Sequence, residues 1–253
     1  MDWTWGPADT WHATQRFLES IASTLPERPK AILVVSGHWE EQEFTASAAP
    51  FPGLIFDYSG FPVDTYRLTW PAPGNPALAA RVSELLRNAG LPSAVSPDRG
   101  YDHGVFVPLK VAFPLAEIPV VTLSLGASAD GSFDPAMHIA AGRALAPLRD
   151  EGVLIVGSGM SFHNLRAYFR PDTAEAARAF DGWLTQAVES PVPERDALLV
   201  DWRNAPHARF THPREEHLVP LFVAAGAGGD APGKRIFNDE PMGAAISAYR
   251  FDG

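Results

Sequence analysis

Ala31-Ile32-Leu33-Val34-Val35-Ser36-Gly37-His38 is the stretch on which the fold turns. Its apolar residues follow one another without alternation, and three of the five are β-branched, the pattern of a strand covered on both faces. The same pattern returns at residues 118–125 and 153–159. Helical spacing is predicted between these runs, over 76–89, 135–148 and 173–188. A further amphipathic helix is predicted over 7–25, with Trp11, Leu18, Ile21, Ala22 and Leu25 on one face and His12, Arg16, Glu19 and Ser23 on the other. Alternating strands and helices predict an α/β fold: a single domain over residues 1–253, with a mostly parallel or mixed central sheet and helices on both faces. Ligands bind such sheets at the carboxyl ends of strands, and His38 is placed just past one.

Composition narrows the chemistry. The 253 residues contain no cysteine, which excludes disulfides, thiolate zinc sites, iron–sulfur clusters and a cysteine nucleophile together. Any metal must be held by His, Asp or Glu. The formal charge of -10 repels phosphate backbones and anionic membranes, so neither nucleic acid nor a membrane is expected as a partner. No secretory leader or spanning segment is legible, and the expected location is the cytoplasm. Two proline-rich connections, 49–62 and 71–76, are too long for simple turns and are expected to wrap the surface or the mouth of a site. The segment 225–234 reads as a loose loop before a last strand over 245–251.

Each histidine has two readings. His38, at the end of a rigid strand, is either a ligand or a residue that hydrogen-bonds a loop. His103 lies in Gly100-Tyr101-Asp102-His103-Gly104, where the adjacent acid is a candidate to orient the imidazole; the alternative is a polar turn. His163 follows Gly157-Ser158-Gly159-Met160-Ser161-Phe162, again near a strand end, and two histidines on one rim argue for a site. His217 opens an apolar helical run after Glu215-Glu216, where the acids either ligate or simply suit a helix N-terminus. His12, His138 and His207 read as surface or structural residues. No Gly-x-Ser-x-Gly elbow, phosphate loop or His-Glu-x-x-His pair is present.

Taken in order, Ser36-Gly37-His38-Trp39, Asp57-Tyr58-Ser59-Gly60-Phe61-Pro62, Tyr66-Arg67-Leu68, Tyr101-Asp102-His103-Gly104, Gly157-Ser158-Gly159, His163-Asn164-Leu165, Ala205-Pro206-His207-Ala208 and Glu216-His217-Leu218-Val219-Pro220-Leu221 resemble the class III extradiol ring-cleavage dioxygenases of the DOPA-dioxygenase type. The resemblance runs from about residue 30 to the C-terminus. It implies a mononuclear non-haem metal, Fe(II) with Zn(II) as the alternative, and a catecholic small-molecule substrate cleaved with O2. It assigns His38 and His217 as metal ligands, His163 as the acid–base group and His103 as a contact to substrate or oxygen. Asp57, Tyr58 and Phe61 become candidate walls of the substrate pocket. Glu216 remains a rival ligand to His217, and the oligomeric state is left open.

The family pattern uses a third histidine, from a Ser-His-Gly motif closing a first strand. Nothing before Ala31 supplies that strand, and His12 is on the polar face of its helix. The preferred explanation is a start placed at an internal Met, which predicts an empty lane or an exposed edge beside the strand that ends at His38, bordered by Val34 and Ile32. The alternative is a catalytically impaired metal-binding or interaction module of the same fold.

Overall fold

The computed structural model describes residues 6–252. Seven strands are present among them: β1 Ala31–Glu41, β2 Phe44–Ser47, β3 Ser93–Ser96, β4 Val120–Gly126, β5 Val153–Ser158, β6 Lys234–Asp239 and β7 Ile246–Arg250. The first five form one sheet in the order β3-β2-β4-β1-β5, and β6 and β7 form a separate hairpin. β1 runs parallel to both β4 and β5, whereas β2 meets β4 antiparallel, so the sheet is mixed with a parallel centre.

The double burial predicted for β1 has a direct cause. Leu33 and Val35 face a core built with Leu123, Leu145, Leu184 and Phe222, while Ile32 and Val34 face a second core with Tyr101, Val105, Phe106 and Leu109. The first core is covered by helices Pro76–Asn88, Pro135–Leu145, Thr173–Glu189 and Val219–Ala227, and the second by helix His103–Ala112. Helices therefore lie on both faces, as expected from unalternated strands.

Several boundaries differ from the sequence reading. β1 continues through Glu41, so His38 lies inside the strand rather than beyond it. The amphipathic helix shrinks to His12–Thr24 and buries no residue completely; Ala22, assigned to its apolar face, is exposed. The loop expected over 225–234 starts inside a helix ending at Ala227 and leads into β6, which pairs with β7. Neither the empty lane nor the exposed edge expected beside β1 is present among the described residues. β1 has a hydrogen-bonded neighbour on each side, and the sheet edge is one strand over, at β5, where residues 154–158 are half-buried. No helix among the described residues is long and apolar enough to cross a membrane.

Candidate metal and proton-transfer site

Strand parity aims the first imidazole. Ile32, Val34, Ser36 and His38 follow at intervals of two and share the face that meets helix His103–Ala112. That helix begins at His103, and the two rings lie 3.9 Å apart. The turn before helix Val219–Ala227 brings His217 against the same spot, because two glycines let it approach. A Cβ on Gly37 would sit 2.8 Å from the Glu216 carbonyl, and one on Gly159 would sit 2.1 Å from the His217 carbonyl. Met160 N–H also donates to the His217 carbonyl at 2.9 Å, and His163 N–H to Thr211 at 3.0 Å, which ties the segment after β5 to the same turn.

The result is a cluster of four imidazoles and two carboxylates. His38 Nε2 and His217 Nε2 face each other at 3.1 Å. His163 stacks on His217 with ring centroids 3.4 Å apart. Asp57 Oδ1 accepts from His103 at both its backbone N (3.0 Å) and Nδ1 (2.8 Å), and Asp57 Oδ2 lies 3.6 Å from His38 Nδ1. Glu216 Oε1 lies 3.0 Å from His217 Nδ1 and 3.4 Å from His163 Nδ1. Each carboxylate therefore faces the Nδ1 side of a histidine pair. With Nδ1–H given to Glu216, His217 turns a bare Nε2 lone pair toward His38.

The electrostatics follow from burial. His38 is held down at about 3, first by loss of solvation and then by repulsion from His103 and His217. Burial likewise lowers His217, against the opposing hydrogen bond to Glu216. Burial raises Asp57, but the side-chain and backbone hydrogen bonds from His103 outweigh it and bring the carboxyl down to about 2. Glu216 behaves alike: burial opposes ionisation, and the hydrogen bonds from His163 and His217 hold it well below the carboxylate range. Anionic carboxylates beside neutral imidazoles are what a cation site requires.

Three observations fit a metal ion. The ligand atoms of His38, Asp57 and His103 lie within 4.8 Å of one another, as do those of His163, Glu216 and His217. Two imidazole nitrogens on one tetrahedral ion would stand roughly 3.3 Å apart, from metal–nitrogen bonds of about 2.0–2.1 Å, and the His38–His217 separation is close to that. Glu216 Oε2 is also buried without a hydrogen-bond partner.

His38, His103, His163 and His217, picked from the sequence, thus come together. Asp57 joins them against the imidazoles, and Tyr58 packs edge-on to His103 at 5.6 Å while its hydroxyl donates to the Thr65 carbonyl at 2.8 Å. Phe61 meets Tyr58 at 5.4 Å. His12 and His207 are exposed, and His138 is a core residue pinned between Asp134 and Gly126. Asp102, read as the acid orienting His103, instead faces Ser36 and Arg99, and Asp57 holds the ring. No sequence signal marked Asp57 for that task, because it arrives through a non-local bridge between Leu54 and Tyr101.

A family model for the catalytic LigB subunit of aromatic ring-opening dioxygenase matches residues 6–251. The chain belongs to this family of dioxygenases. It is similar to the 4,5-DOPA dioxygenase extradiol of Beta vulgaris, with 38% identity covering 94% of this chain and 89% of the relative. The protein of the same name from Escherichia coli K12 is 37% identical, over 84% of this chain and 77% of its own length. A crystal structure of an uncharacterized Escherichia coli K12 protein superposes with a TM-score of 0.77 at 32% identity, covering 93% of this chain and 90% of that one.

Proposed function

We propose that this chain opens the ring of a catecholic substrate by extradiol cleavage with O2 at a mononuclear non-haem metal, Fe(II) in the active enzyme with Zn(II) as the competing ion. The observation that carries this is the approach of two Nε2 atoms, from His38 on β1 and His217 before helix Val219–Ala227, at 3.1 Å. Those two residues would hold the ion. The chemistry a bound Fe(II) supplies is the alignment and activation of a catecholate and dioxygen, which otherwise react slowly.

The protein's own groups divide the remaining work. His163 has its Nδ1 side toward Glu216, which leaves Nε2 to take the catechol proton and return it as ring opening proceeds. His103, fixed by Asp57, contacts substrate or oxygen through its own Nε2. Tyr58 and Phe61 wall the aromatic substrate on the side of His103. Glu216 orients His217 and His163 through its Oε1, which their Nδ1 atoms engage, and its unpartnered Oε2 makes it the rival ligand to His217.

The test is metal content together with catechol-dependent oxygen uptake for the parent chain, His38→Ala and His217→Ala. The expected result is loss of both quantities in each variant. Full metal loading in either variant, or oxygen uptake that does not need a catechol, would overturn the assignment.

A further inference from the structure

The four imidazoles rest on a polar feature the proposed chemistry does not use. Asp102 is completely buried, although it is a carboxylate. Its Oδ1 accepts from Ser36 Oγ at 2.8 Å, and its Oδ2 from Arg99 Nη2 at 3.1 Å. Ser36 Oγ in turn accepts from the backbone N of His38 at 3.2 Å. The Asp102 carbonyl receives the amides of Val105 and Phe106, which opens the helix whose first residue is His103. Arg99 stacks over the ring of Trp39, the residue after His38, at 4.8 Å.

Asp102 thus joins two elements that share no covalent neighbourhood. Through Ser36 it grips β1 beside His38, and through its own backbone it sets the start of the helix that carries His103. A buried carboxylate is costly unless it is paired. Arg99 supplies the pairing charge while its side chain keeps some contact with water, which limits that cost. Space is tight around the junction. A Cβ on Gly104 would lie 2.8 Å from His38 Cδ2 and 3.1 Å from both Ser36 Oγ and Asp102 Oδ1.

We propose that Ser36, Asp102 and Arg99 are positioning residues, a buried chain of hydrogen bonds that holds His38 and His103 in the relative placement the metal site needs. This rests on the reading of His38 as a metal ligand. The chain is suited to the task because both bonds to the Asp102 carboxylate are charge-assisted and only the short Ser36 side chain lies between that carboxylate and the His38 backbone, which limits the freedom left there.

The experiment adds Co(II) alone to the full-length parent, Ser36→Ala, Asp102→Asn, the double variant and His38→Ala. Affinity and visible absorption bands are read by titration, with thermal unfolding of the metal-free proteins alongside. Loss of orienting partners around metal ligands typically costs about 10–100-fold in metal affinity. Ser36→Ala and Asp102→Asn should each lose affinity in that range and shift the absorption bands at saturation. The double variant should lose no more than the worse single one, because both break one chain. If Asp102→Asn fails to fold, Ser36→Ala and Arg99→Gln carry the test. Parent-like affinity and bands in these variants, with binding abolished by His38→Ala, would overturn the positioning role and leave the ligand reading intact. Weaker binding with unchanged bands that merely follows a lowered unfolding midpoint would also overturn it, as a general loss of structure. Undiminished Co(II) binding by His38→Ala would instead overturn the ligand reading, and this proposal with it.

Discussion

Replacing Glu216 by Gln separates two roles that a carboxylate beside a histidine can play. Its Oε1 serves His217 Nδ1 at 3.0 Å and His163 Nδ1 at 3.4 Å, and the longer contact is weak by hydrogen-bond standards. A hydrogen bond to a charged group is worth about 1.5–3 kcal/mol, against about 0.5–1.5 for a neutral one. Exchanging one good charged acceptor for an amide oxygen therefore costs about 1–1.5 kcal/mol, or roughly tenfold in affinity at about 1.4 kcal/mol per decade. Metal affinity of Glu216→Gln should fall by about tenfold, the lower end of the range for groups that orient ligands. Competition against a chromophoric chelator measures this, with His217→Ala as the reference for a lost ligand. A loss as large as that of His217→Ala would make Glu216 a ligand, and no loss at all would remove it from the site; either refutes the orienting role.

Three further outcomes are expected. His163→Ala should keep its metal and lose about 10²–10⁴-fold in ring-cleavage rate, as a group that transfers protons rather than binds the ion; metal analysis beside single-turnover kinetics checks this. Stability should decline as the solution is acidified from pH 6.5, because His138 and His212 are held down at about 4, chiefly by burial, from an ordinary value of 6.5. The unfolded chain takes up those protons first, so their contribution is complete above pH 6.5 and is lost as pH falls toward 4; urea midpoints across that interval should drop, and replacing His138 by Gln should reduce the slope. Gly159→Ala should destabilise the chain and loosen the turn that carries His217, because the added Cβ would lie 2.1 Å from the His217 carbonyl; thermal unfolding and metal affinity should fall together.

The parts of the fold legible in the sequence are those with strong periodicity and double burial. β1, β4 and β5 each announce themselves as continuous apolar runs, and the helix Thr173–Glu189 lies within a residue of its expected end. β2 and β3 are four residues each, too short for a period to register. Helix His103–Ala112 escaped because Gly104, three valines and Pro108 all weigh against helix locally, while packing against Ile32 and Val34 supplies what propensity lacks. β6 escaped for the opposite reason, since four of its six residues are exposed and leave no apolar pattern to read. At the site, the histidines were visible at strand and helix ends, but their carboxylates were not. The sequence offers Glu216 as a competing ligand and Asp57 as a wall, because which ring nitrogen a carboxylate meets depends on how distant segments cross.

The alternation along β1 makes the strand behave as a ruler. Moving one residue in or out between Leu33 and Ser36, with no bulge to absorb it, would turn His38 toward the Leu123 side, away from His103 and His217. Transplanting this site into another sheet therefore tolerates changes upstream of His38 in steps of two, or an odd step taken up by a bulge such as the register shift β1 makes against β4 between Val35 and Glu40. Length in this strand is a reactivity parameter, and an odd step left unabsorbed would silence the centre while leaving every one of its side chains in the sequence.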